Sequence, residues 1–327
     1  MSVLIAAYNA AAYIEQALDS VVAQTIPDWE AVVADDCSTD DTCAIVERRS
    51  AVDPRIRLLR AERNGGPSAA RNRAIDAACG DWLAVLDADD RWRSHRLERM
   101  LAAAQAEGAV IVADNYIRYD EGSKQELGAV LPVDGGVSSI TPARFLDSER
   151  PFVTVRFGLL KPIVSRTFLN AHAIRYSTEI RYAEDFHFFM MVLLAGGRGV
   201  LVHEPLYIYT LPQSMTSKTV SGGTRTIPKH ADRMWIAQTL LAQHGETASS
   251  QTRAALHRYR RSMATLGEGA SRTRFVAQRT QRERLAARCN PPFGCSQLWM
   301  DSARHQTAAS TGRPRIAPLG RQVSSRR

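Results

Sequence analysis

Nowhere in the 327 residues is there a run of 18 or more apolar side chains, so no segment is long and apolar enough to cross a bilayer as a helix. The apolar start, Ser2 to Ala7, carries neither the charged leader nor the cleavage region of a secretory signal, and the expectation is a cytoplasmic protein. Cysteine is scarce and odd in number. The five, at 37, 43, 79, 289 and 295, form no close metal-type pair, which argues against a disulfide framework and a zinc site. The eight histidines show no metal-ligand spacing either. The first apolar segment lacks Gly-x-Gly-x-x-Gly, which points away from a nicotinamide-dependent oxidoreductase, and the turn at Asn64 to Pro67 is no Walker loop.

Lysine is missing from residues 251–327, which instead hold 16 arginines against 3 acids, a net charge of +13. The whole chain carries +8, so the first 250 residues are acidic at −5. Basic character therefore belongs to the extension and says nothing about a nucleic-acid site elsewhere. The extension has few aliphatics, breakers such as Pro291-Pro292 and no recognisable nucleic-acid module, so it is expected to be partly disordered, with no nucleic-acid partner. Attraction to an anionic inner membrane leaflet is one use for it, each basic residue near the surface contributing about 1 kcal/mol. A non-catalytic polyanion-binding or membrane-surface protein is the competing functional class.

What is present is a core-forming chain, 45% hydrophobic, in which strand and helix patterns alternate over the first 120 residues. Val3 to Ala7 reads as a buried strand. Ile14, Ala17, Leu18, Val21 and Val22 then share one helical face, with Pro27 closing it off. A strand from Glu30 runs into Asp35, and Ser38, Thr39 and Asp40 offer caps for a helix near 40–51. A third strand spans Arg55 to Arg60, and a helix from about Ser68 to Ala78 follows the Asn64-Gly65-Gly66-Pro67 turn. The strand from Trp82 ends on Asp87-Ala88-Asp89-Asp90. A helix near 94–107 and a strand near 109–113 come next, and the pattern weakens from 120 to 150. Later, a helix opens at Glu184-Asp185, and Gly199 to His203 and Leu206 to Tyr209 read as two short strands.

Acids thus stand just past the carboxyl ends of two strands, where open parallel sheets bind ligands. Asp87-Ala88-Asp89 puts two carboxylates at strand spacing on one side of the chain, either as a hard-cation site or as a loop cluster capping the Arg91 segment. Arg71 or Arg73 could present a cationic fork to phosphate, or lie on a helix surface. Two acids opening a helix, as at Glu184-Asp185, ordinarily answer the helix dipole. Tyr8 is either a base-packing or a core residue. Tyr207, Tyr209 and Trp235 could stack on a sugar or fill the core, and His187 reads as a half-buried helix residue.

Five motifs in order are similar to those of family 2 glycosyltransferases: Ser2 to Asn9, Asp35-Asp36-Cys37-Ser38-Thr39-Asp40, Gly66 to Asn72, Leu86 to Asp90, and Glu184-Asp185. Asn64 to Asn72 and Phe157-Gly158-Leu159-Leu160-Lys161-Pro162-Ile163 resemble the bacterial succinoglycan-type exopolysaccharide enzymes. The resemblance implies an α/β GT-A fold, a mostly parallel sheet flanked by helices. Residues 1–120 would form the nucleotide-sugar half and 121–250 the acceptor half of one catalytic domain, with 251–327 as the basic extension.

By the same resemblance, Asp89 holds Mg²⁺ or Mn²⁺, and Asp87 faces the sugar or ribose. Ala7, Tyr8, Asn9, Asp35 and Arg71 bind the nucleotide, with Asp35 accepting from uracil, and Ala7 stands where the family usually has proline. Asp185 is the base, and its neighbour Glu184 could hold the acceptor or pair with a cation. The implied reaction is inverting transfer of a hexose, with glucose favoured, from a UDP-sugar to a saccharide or lipid-linked oligosaccharide in exopolysaccharide synthesis. A divalent ion suits that chemistry, since a diphosphate leaving group gains charge as the bond breaks. A carboxylate that takes the acceptor proton supplies roughly 10² to 10⁴-fold in rate.

Overall fold

The computed structural model describes residues 1–265 apart from 152, 154, 181 and 212–229. The part of the basic extension beyond 265, with Cys289 and Cys295 and most of its arginines, lies outside the described residues. Strand β1 (Ser2–Ala7) is followed by α1 (Ile14–Val22), β2 (Glu30–Asp35), α2 (Thr42–Val52), β3 (Ile56–Arg60), α3 (Pro67–Ala77) and β4 (Trp82–Asp87). These four strands are parallel and lie in the order β3-β2-β1-β4. Val3, Leu4, Ile5 and Val32, Val33, Ala34 are sealed on both faces, which is why the strands read as continuous apolar runs instead of alternating ones.

Helix α1 buries Ile14, Ala17, Leu18 and Val21 as its spacing requires, while Val22, placed on the same face by sequence, turns outward. Each fully buried Ile, Leu or Val there contributes about 1.5–3 kcal/mol. Gly66, with φ at +84°, makes the turn that Pro67 converts into the first position of α3.

Next come β5 (Arg91–Trp92), α4 (Arg96–Glu107) and β6 (Ile111–Asp120). The region of weak pattern holds β7 (Gln125–Ala129), β8 (Val137–Ile140) and α5 (Pro142–Ser148). The edge strand β7 is almost wholly exposed, so it lacks the buried periodicity that would mark a strand. Beyond it lie β9 (Ile163–Ser165), α6 (Arg166–Ala171), α7 (Glu184–Leu194), β10 (Gly199–Leu211), α8 (His230–His244) and a helix α9 at 250–265.

Strand β9 inserts antiparallel between β4 and β6, and β10 lies parallel to β6, giving the order β3-β2-β1-β4-β9-β6-β10-β5. The two expected halves therefore share one mixed sheet. The two short strands expected between 199 and 209 are one strand, β10. Pro205 cannot donate to the ladder, and the register shifts on either side of it absorb the break.

The boundary expected at 250 also moves. The compact unit spans Met1–Ala270, because α9 packs Ala255, Leu256, Tyr259 and Met263 into the core. Tyr259 lies 5.3 Å from the Phe186 ring, centroid to centroid. Low aliphatic density concealed this helix, since half of its buried face is Ala and Tyr.

Candidate active site

The carboxyl ends of β1 and β4 open into a cavity of about 410 Å³ lined by Ala6, Tyr8, Asn9, Tyr13, Arg71, Asp87, Asp89 and Thr210, among others. Parallel strands place it there, since β1 and β4 end side by side with Ala6 opposite Asp87. Tyr8 is 54% exposed, so it belongs to this cavity and not to the core. Asn9, at φ +49°, takes Thr39 N–H on its side-chain oxygen at 2.8 Å, joining the β1 end to the loop after β2.

Ala7 is not at the cavity. It is buried, its carbonyl accepts Asp36 N–H at 2.8 Å, and alternation along β1 hands the cavity wall to Ala6. Asp35 is buried beneath the loop, with one oxygen accepting Ser38 N–H at 3.0 Å and Oδ1 without a hydrogen-bond partner. Burial and neighbouring Asp35 push the Cys43 thiol up to about 11, so it stays protonated. Asp36 holds the glycine turn, accepting Gly65 N–H at 3.1 Å and Gly66 N–H at 2.6 Å. The N-cap position of α2 falls on Asp41 and not on Asp40, which stands one residue earlier and accepts Thr42 N–H at 3.0 Å.

Arg71 and Arg73 part company. Arg73 bonds the Asp35 carbonyl and the Asp36 carboxylate, whereas Arg71 turns into the site. Its guanidinium meets Asp87 at 2.8 Å, Glu184 at 3.1 Å and Asp185 at 3.2 Å. The acids that open α7 therefore share the α3 cation that also holds the tip of β4, instead of merely answering the helix dipole. Tyr176, stacked on Phe188 at 4.1 Å, lies 5.2 Å from the Arg71 guanidinium.

Two residues went unassigned in the sequence. Lys161 Nζ stands 2.7 Å from Asp87 and 2.6 Å from Asp185, almost wholly buried. Only its place in the Phe157 to Ile163 motif could have singled it out. Asp90 accepts Tyr207 O–H and Thr210 N–H, both at 2.7 Å, so Tyr207 is a packed support and not a sugar platform. Tyr209 packs against Tyr116 at 5.8 Å, while Trp235 remains 42% exposed. Burial and His244 depress His187 to about 4, leaving it neutral as a helix residue.

The charges sort the carboxylates into roles. Burial alone would raise the Asp87 carboxyl, but Lys161 and Arg71 overcome it and hold it well below the usual range. Burial, followed by the charge of Asp87, raises Asp89, and Asp90 goes well above the ordinary value for burial and for its acidic neighbours. Burial and Asp185 raise Glu184 as well. One oxygen each of Asp87, Asp89 and Asp90 lies within 4.8 Å of the others, the spacing of a hard-cation cluster. Asp87 is already neutralised by two cations and Asp90 is hydrogen-bonded. Asp89 has no ion pair among the described residues and reaches solvent, so of the three it could offer a free carboxylate to a divalent cation.

A mixed sheet of this order with an acidic cluster at the β4 end defines a GT-A transferase fold, and the chain belongs to glycosyltransferase family 2. The family model described as Glycosyl transferase family 2 matches residues 2–155. Succinoglycan biosynthesis protein ExoU of Rhizobium meliloti is 31% identical over 261 residues, covering 75% of this chain and 72% of ExoU. ExoO of the same organism is 38% identical over 224 residues, covering 66% of this chain and 62% of ExoO, somewhat under two thirds of its length. Among solved structures, S. aureus TarS 1-349 superposes with a TM-score of 0.59 at 22% identity, over 79% of this chain and 69% of that one.

Proposed function

We propose that the protein transfers a hexose, glucose first among candidates, from a UDP-sugar to a lipid-linked oligosaccharide with inversion, in the synthesis of an exopolysaccharide. The observation that carries this reading is the pairing across the sheet. A strand-end carboxylate set suited to a metal diphosphate faces the acid pair of α7, Arg71 and Lys161 binding both sides. A relative points the same way. WfgD of Escherichia coli, 28% identical over 59% of this chain and 69% of its own, is named a UDP-Glc:alpha-D-GlcNAc-diphosphoundecaprenol beta-1,3-glucosyltransferase.

In this reading Asp89 holds Mg²⁺ or Mn²⁺, which when bound supplies positive charge to the departing diphosphate. Tyr8 and Asn9 flank the nucleotide, and Asp35, whose free Oδ1 is buried outside the cavity lining, would accept from uracil only once the loop above it is displaced. Ala7 supports them only through the strand backbone. Asp87, fixed by Arg71 and Lys161, faces the sugar, and Arg71 acts by holding three carboxylates in register more than by binding phosphate itself. Asp185 takes the acceptor proton, and Glu184 contacts the acceptor. One base and no assigned nucleophile make a single in-line displacement. No described helix is long and apolar enough to cross a membrane. We place the protein in the cytoplasm, with peripheral contact to the inner membrane face where a lipid-linked acceptor resides.

The test is a donor screen read by UDP release, with Mn²⁺ present and membrane extract as acceptor source. Release stimulated by extract and by metal is expected with a UDP-hexose. Activity with no nucleotide sugar, at any metal concentration, would remove the reading.

A further inference from the structure

Lys161 belongs to a motif that the assigned roles leave unused, and it occupies the middle of the site. Its ammonium lies between two carboxylates from distant parts of the chain, Asp87 at the end of β4 at 2.7 Å and Asp185 in the first turn of α7 at 2.6 Å. It is fixed at its other end too. The Lys161 carbonyl accepts from Arg96 Nη2 at 2.5 Å, and Arg96 is itself fully buried against Asp114 at 2.7 Å. The next residue, Pro162, gives its carbonyl to Val85 N–H within β4 at 3.2 Å. A flexible side chain is thereby anchored at both ends, close to the strand whose tip it serves.

We propose that Lys161 is a positioning residue that couples the donor-side carboxylate Asp87 to the acceptor-side carboxylate Asp185, setting the distance across which transfer occurs. This rests on the transferase reading above. A buried ion pair is weak evidence for stability, because desolvation offsets most of its attraction, whereas its fixed geometry specifies an arrangement. Arg71 spans the same gap with a planar fork, but its contact to Asp185 is longer, at 3.2 Å. Lys161 alone brings a point charge within 2.7 Å of both acids. Without it Asp185 keeps, among the described residues, Arg71 as its one cation and can swing, and misplacement by about 1 Å costs on the order of 10²-fold in rate.

The experiment compares wild type, Lys161→Met and Lys161→Ala by calorimetry of UDP–Mn²⁺ binding and by steady-state transfer to acceptor. Lys161→Met is expected to bind UDP–Mn²⁺ within about threefold of wild type while its kcat falls by on the order of 10²-fold. In Lys161→Ala, added propylammonium should restore turnover saturably, whereas 1-propanol, of similar size without charge, should not. If Lys161→Met does not fold, Lys161→Gln, which keeps a hydrogen-bond donor near both acids, serves in its place. Wild-type kcat in the variant, a parallel loss of UDP binding, or equal rescue by propanol would each overturn the proposal while leaving the transferase reading standing. A wild-type protein that binds UDP–Mn²⁺ yet transfers no sugar would sink both.

Discussion

The Arg71 guanidinium stands 2.8 Å from the Asp87 carboxylate, joining the helix after the glycine turn to the tip of β4. It is buried, and Glu184 and Asp185 lie against the same fork. Removing the cation strips Glu184 of its ion-pair partner among the described residues and leaves Asp87 and Asp185 to share Lys161. Arg71→Met should therefore destabilise the fold by about 3 kcal/mol or more. Adding Asp87→Asn to that variant should recover part of the loss, since Lys161 then no longer has to balance two buried carboxylates. Chemical denaturation of the two single variants and the double variant gives the coupling, and strict additivity would contradict it.

The same carboxylate fixes a pH dependence. With its folded value held below the ordinary carboxylate value of about 4, ionised Asp87 contributes stability that is fully present above that value. The contribution is lost as pH falls through the depressed folded value. Asp87→Asn should accordingly weaken the fold at neutral pH and flatten the acid limb of its stability curve. Glu184 works in the opposite sense, since its raised carboxyl costs stability once it ionises. Urea midpoints from pH 2 to 7 would separate the two slopes.

Asp89 should carry the metal response. Asp89→Asn keeps the shape but loses the charge that attracts a divalent ion, so Mn²⁺ should no longer tighten UDP binding, which should settle at its metal-free value. Because burial and the charge of Asp87 raise the Asp89 carboxyl, protons should compete with the ion, and Mn²⁺ should tighten UDP binding less at pH 5 than at pH 7. Calorimetry at pH 5 and pH 7 reads both effects.

Helix α9 makes a claim about where the chain can be cut. Leu256 and Met263 are buried, each contributing about 1.5–3 kcal/mol, and Tyr259 packs beside Phe186. A chain ending at 250 should melt at least about 10 °C lower than one ending at 270, which retains the compact unit. Equal melting temperatures would return the boundary to 250.

The first 120 residues were legible because the buried positions of the central strands are almost all aliphatic and the acids Asp35 and Asp87 end strands. Asp87 and Asp89 follow from that pattern with family resemblance, as does the preference for Arg71 over Arg73. What sequence concealed has physical reasons. Lys161 acts through two partners 74 and 24 residues away, and no local period reports such a contact. Ala7 and Ala6 differ only by the face of one strand, and a sealed strand has no polar side to set the alternation. The choice for Tyr207 between sugar platform and core stays open in the sequence because its phenol partner, Asp90, comes from another element altogether.

Inversion at a single base is the centre of the account, and the product's anomeric configuration tests it most directly. With an α-linked UDP-hexose as donor, NMR of the anomeric proton in the purified product should report a β linkage, formed at a rate that Asp185→Asn lowers by about 10² to 10⁴-fold. An α-linked product would contradict the single displacement.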